Sequence, residues 1–191
     1  MLRMIMAGVL GGIAMFVVGS LTHMVVGLVP MRATPFEEQL GAVAQQSLSE
    51  PGVYLVPGVP ADFRSRPQAE QEQLMKAAEE RAQRSPRLFV AYAPPLAKGS
   101  LPGQLLTQLT GDVLAALAMA LLLTLAQGPA TYLLRVLACT AGAVSGSLMT
   151  RLPYWNWYGF PSAFTERELL DDLLRALAAA LVVALIVRPR R

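Results

Sequence analysis

The chain has 191 residues, 54% of them hydrophobic and only 15% charged, with a net charge of +3. That balance is too apolar for an ordinary soluble domain of this length. The single cysteine, Cys139, excludes an internal disulfide and a thiolate metal cluster, and within an apolar run it reads as a small packing residue.

Four nearly uncharged runs organise the chain, each about as long as the roughly twenty residues needed to cross a hydrocarbon core. The first, residues 4–29, is longer than the roughly 7–15 residue apolar stretch of a secretory signal and lacks a small-x-small cleavage site, so it is expected to be a retained membrane helix. On it Gly8, Gly12, Gly19, His23 and Gly27 are spaced to share one face, which makes a groove for close helix packing.

Residues 30–103 are more polar and suggest a small α+β insertion. Thr34-Pro35-Phe36-Glu37 has the pattern of a capped helix start, and that helix is expected to run to about Leu48. Val53 to Val56 and Leu88 to Tyr92 are short, β-branched or aromatic, and fenced by proline and glycine, so both are expected as strands. Between them Pro67 to Arg84 is helical in composition, with Glu72/Lys76 and Glu80/Arg84 pairs at i, i+4. Two such short strands make no independently stable sheet, so the insertion needs a support. It has no histidine, no cysteine and no serine with a base nearby, hence no nucleophile.

Residues 104–126 form the second expected span and 131–150 the third, joined by the turn Gln127 to Ala130. Asp112 lies inside the second, and Ala138, Gly142 and Gly146 give the third its own small-residue stripe. The fourth, 167–187, holds Arg175, preceded by Asp171 and Asp172, with Thr165 and Glu168 as its expected cap and Ala176, Ala180 and Ala184 as its seam. From the outer ends of their helices Asp112 and Arg175 lie at similar depth, about 10–12 Å. Asp112 and Arg175 are therefore the expected intramembrane charge pair, with Asp171 and Asp172 as alternative partners of Arg175, and a register-fixing role, a proton or anion site, or a contact to a partner subunit are its readings. His23, near the outer end of its helix, is either a hydrogen-bonded packing residue or a ligand for haem, copper or quinone. As the only histidine it cannot hold haem as a bis-histidine pair within one chain.

The segment 151–166 is expected as an aromatic loop, in which Tyr154, Trp155, Trp157, Tyr158 and Phe160 suit a membrane boundary or a contact with a partner or lipid. Arg3, Arg135 and the basic tail 188–191 flank the spans on one side, which places both termini in the cytoplasm. The same distribution accounts for the net positive charge without nucleic acid. The excess of arginine over lysine points to a bacterium, and so to the inner membrane and a periplasmic insertion.

Gly19-Ser20-Leu21-Thr22-His23-Met24, Glu50-Pro51-Gly52-Val53-Tyr54 and Tyr154-Trp155-Asn156-Trp157-Tyr158-Gly159-Phe160-Pro161 together resemble a group of small bacterial inner-membrane proteins of unassigned function. The resemblance implies the same four-helix plan and carries no catalytic role to any residue. The fold class expected is thus all-α membrane, with four transmembrane helices and a helix-strand-helix-strand insertion between the first two. The function expected is a non-enzymatic accessory or assembly subunit of a larger respiratory or photosynthetic complex, without a cofactor, contacting lipids and other integral membrane proteins. A small oligomeric carrier or channel using Asp112 and Arg175, or a redox protein using His23, are the alternatives. A hydrolase lacks its Ser/His/Asp set or His-Glu motif.

Overall fold

The computed structural model describes residues 1–93, 100–126 and 131–188. The Gln127–Ala130 turn, the Pro94-Pro95 fence and the tail arginines 190 and 191 lie outside the described residues. Among the described residues the chain is mostly helical with one two-stranded sheet, and it divides into two compact units, 1–31 with 98–191, and 32–97.

In the first unit α1 (Leu2–Ser20) continues through a wider helical turn (Leu21–Val26), and is joined by α4 (Leu101–Leu125), α5 (Tyr132–Tyr158) and α6 (Ser162–Ile186). Among the described residues three helices are long and apolar enough to cross a membrane: Leu2–Val26, α4 and α5. The fourth, α6, has the length, but Asp171, Asp172 and Arg175 break its apolar stretch. Ser100 caps α4 by accepting from the Gly103 amide at 3.4 Å, and Thr131 caps α5 by accepting from Leu134 at 3.4 Å.

Helix α1 packs against α4 and α6, while α5 leans on α6 and barely touches α4. Alanine makes this closeness possible: Ala7, Ala116, Ala120, Ala176, Ala179, Ala180 and Ala184 are all buried in the seam, along with Val183 and Met15. At Gly8 a Cβ would collide with Leu117, and at Gly12 with the backbone of Val113, so the two glycines set how near α4 comes. Cys139 is buried on the α5 side of the same core.

Four expectations from the sequence differ from the structure. Helix α5 does not end near residue 150: Arg151 to Tyr158 continue it, with Pro153 inside, and only Gly159 to Pro161 separate α5 from α6. Gly159, at φ 73°, terminates the helix, as a residue without a Cβ readily does. Thr165 and Glu168 do not cap α6, which begins a turn earlier, and both are buried instead. Gly142 and Gly146 pack against nothing within the described chain, since no atom lies within 4 Å of a Cβ built on either. Gly27 also leaves the expected packing face; it closes the wide turn in the left-handed region at φ 61°.

The second unit contains α2 (Glu37–Ser47), β1 (Gly52–Val56), a short 3₁₀ turn (Phe63–Ser65), α3 (Gln68–Arg84) and β2 (Leu88–Tyr92). The strands pair antiparallel with Gly52 opposite Tyr92 and Val56 opposite Leu88. Arg66 grips Asp62 through Nε at 3.1 Å and Nη2 at 2.9 Å, and this hydrogen bonding holds the Asp62 carboxyl below its usual range. None of the described residues from 32 to 93 is buried.

Candidate functional site: a charged cluster on the fourth helix

Helix α6 carries two charged stripes, each repeating at i, i+4 so that its members share a face. Asp171 and Arg175 turn towards α1 and α4, and Glu168 and Asp172 turn towards α5.

On the first face Arg175 Nη2 lies 2.6 Å from Asp112 Oδ1, and Nη1 lies 3.7 Å from Asp171 Oδ2. Gln108, one turn before Asp112 on α4, donates to the same Oδ1 at 3.0 Å. Thr22 donates its hydroxyl to Asp171 Oδ1, and His23 Nε2 stands 3.1 Å from Asp171 Oδ2. In a regular α-helix consecutive side chains diverge by about 100°. The wider turn at Leu21–Val26 reduces that divergence, and two neighbouring residues reach the two oxygens of one carboxylate. Glycine 19 completes the arrangement: a Cβ there would come 2.9 Å from Arg175 Nε, so its absence lets the guanidinium lie against α1.

A pocket of about 240 Å³ opens beside this cluster, with Phe16, Met24 and Leu105 as apolar wall and His23, Gln108, Asp112 and Arg175 as polar wall. Asp112 and Asp171 are 3% exposed, whereas the His23 side chain is 41% exposed, so solvent reaches the imidazole but not the carboxylates. Among the described residues, two buried atoms of this cluster have no hydrogen-bond partner: Asp112 Oδ2, an acceptor, and Arg175 Nε, a donor.

On the second face Arg151 Nε lies 3.0 Å from Asp172 Oδ2, Arg151 also pairs with Glu168, and Ser147 donates to Asp172 Oδ2 at 2.6 Å. The grouping of Asp172 with Asp112 and Arg175 is thereby corrected. The side chain lies on the α5 stripe, where Arg151 is the nearer cation.

The aromatic residues expected to form one contact surface divide in two. Tyr154 packs edge-on against Tyr158 and Phe160, and Trp155 donates Nε1–H to Ser162 Oγ at 3.0 Å, so these rings brace the α5–α6 corner. Trp157, 75% exposed, faces outward.

The Asp112–Arg175 contact and the place of His23 follow from the depths estimated along the sequence. Thr22 and Gln108 were missed on the first face, where Asp171 is one of the two alternative partners expected for Arg175, and Ser147, Arg151 and Glu168 were missed on the second. The i, i+4 spacing of Gln108 with Asp112, Asp171 with Arg175 and Glu168 with Asp172 was the available signal. Among the described residues no group of three or more His, Cys, Asp or Glu side chains is arranged to hold a metal ion. In comparisons with protein-family models, curated proteins and solved structures, nothing matches this chain.

Proposed function

We propose that this is a bacterial inner-membrane protein in which α6 is a fourth span, the termini are cytoplasmic, the unit at residues 32–97 is periplasmic, and the whole is a non-enzymatic subunit of a larger membrane assembly. The observation that carries the reading is the second unit's lack of any buried residue among those described. A unit of this size normally folds by burying more than half of the surface its unfolded chain exposes, and a lone pair of short strands is marginal. A partner supplies the missing burial.

A second support comes from α5. In lipid, helices associate through small residues that let backbones approach, and Ala138, Gly142 and Gly146 lie exposed along one stripe of an apolar helix. Charge inside α6 argues less strongly against a span than its composition suggests, because Asp171, Asp172 and Arg175 all have ionic or hydrogen-bonded partners. The resemblance to small inner-membrane proteins belongs to the same reading.

The test is a native-affinity purification from membranes solubilised in a mild detergent, followed by mass spectrometry. The reading expects other membrane proteins in fixed ratio to the chain, and loss of at least one of them on Gly146→Leu. Recovery of the chain alone, with the second unit still protected from proteolysis, overturns it. The pocket beside Asp112 favours a second reading, a small oligomeric carrier. That reading expects transport activity that Asp112→Asn abolishes without unfolding the chain.

A further inference from the structure

We propose that the pocket between α1, α4 and α6 binds a small ammonium of the ethanolamine type, a cationic N–H donor with an oxygen acceptor a few bonds away. The inference goes beyond assembly and holds whether or not the chain has partners.

The first argument is charge. Around the pocket stand the carboxylates of Asp112 and Asp171, the guanidinium of Arg175, and the imidazole of His23 beside Asp171. In a low-dielectric interior a carboxylate that lines a pocket attracts a cationic N–H donor.

The second argument is hydrogen bonding. Asp112 is 97% buried by its 3% exposure, with Oδ1 already engaged by Arg175 and Gln108 and Oδ2 without a donor. Arg175 Nε has no acceptor. Leaving such groups unmatched is unfavourable, and one ligand with a donor and an acceptor close together satisfies both. Arg175 approaches both carboxylates, at 2.6 and 3.7 Å, so a metal ion placed between them would meet its positive charge.

Size and access agree. A volume of 240 Å³ equals that of about eight waters at their liquid density, ample for an aminoalcohol head. Met24, Gln108 and His23 on the pocket wall are exposed, so the site is reachable from outside the bundle. The same ammonium chemistry comes from a free amine or from the headgroup of phosphatidylethanolamine, whose tail would lie along the apolar wall.

The full chain is reconstituted in nanodiscs of phosphatidylcholine, whose headgroup nitrogen has no N–H, and titrated calorimetrically with ethanolamine, tetramethylammonium and acetate. A parallel sample in mixed phosphatidylcholine and phosphatidylethanolamine is analysed by native mass spectrometry for retained lipid. Saturable ethanolamine binding, weakened at least about tenfold by Asp112→Asn and by Ser20→Phe, establishes the site for a free amine. Selective retention of phosphatidylethanolamine, lost in both variants, establishes it for the lipid. Ser20 also lines the pocket and takes part in none of the ion pairs, so Ser20→Phe obstructs the site without removing a charge and decides alone if Asp112→Asn does not fold. Equal binding of tetramethylammonium or acetate, unchanged binding in a folded Ser20→Phe chain, or no binding of either amine source overturns the proposal.

Discussion

The helical unit and the unit at residues 32–97 use the same chemistry with opposite economy. In the first, ion pairs are buried among close-packed alanines and glycines, and Asp112, Asp171, Asp172, Arg151 and Arg175 each have two or more partners. In the second, ion pairs lie at the surface and no described side chain is buried. The first unit thus holds its buried contacts within itself, and the second has none among its described residues.

The largest effect belongs to the buried cluster. Arg175→Ala leaves Asp112 and Asp171 together without their shared cation, and removing one partner of a buried pair costs about 3–5 kcal/mol. The variant should show a sharply lower melting temperature in detergent, and Asp112→Asn combined with Arg175→Ala should recover part of the loss. If Arg175→Ala melts like the wild type, the cluster contributes nothing to stability and the contrast between the units fails.

Next come the glycines, where the sign of one substitution should change from helix to helix. Gly12→Ala drives a Cβ into the Val113 backbone, and overpacking of this kind costs about 1–3 kcal/mol. Gly142→Ala meets nothing within the chain, and the better helix propensity of alanine favours it by up to about 1 kcal/mol. Thermal unfolding of the isolated chain should therefore fall for Gly12→Ala and hold or rise for Gly142→Ala. A Gly142→Ala chain that is destabilised alone would place a neighbour against α5 that the fold does not contain.

How far the sequence revealed this arrangement depended on whether a signal was local. The strands were legible almost to the residue because Pro51-Gly52 and Pro86 fence them. The Asp112–Arg175 contact was legible because depth along a helix is a matter of counting. The continuation of α5 was not, since Pro153 reads as a stop when it removes an amide and crowds the preceding turn. Gly159, followed two residues later by Pro161, was the better stop signal. Nor was the meeting of Thr22 and His23 on Asp171 legible, because it depends on a widened turn that no residue type announces. A small-residue stripe shows that a helix can be approached, and only the fold shows that α1 uses its stripe within the chain and α5 does not.

The smallest expected effect lies in the second unit, at the exposed pair of Asp62 and Arg66. Hydrogen bonding from Arg66 lowers the Asp62 carboxyl from its ordinary value of 3.8, so the folded turn binds its proton less readily than the unfolded chain does. Its contribution is complete above that ordinary value and disappears as the pH falls through the lower, folded one. Carboxyl carbon shifts of Asp62, followed by NMR from pH 6 to pH 2 on the full chain, should titrate below the ordinary aspartate range, and Arg66→Gln should return them to it. The melting temperature at neutral pH should scarcely respond to Arg66→Gln, as expected of a solvent-screened pair. A large loss there would mean that the turn supports more of the second unit than its exposure suggests, and would narrow the difference between the two halves of the chain.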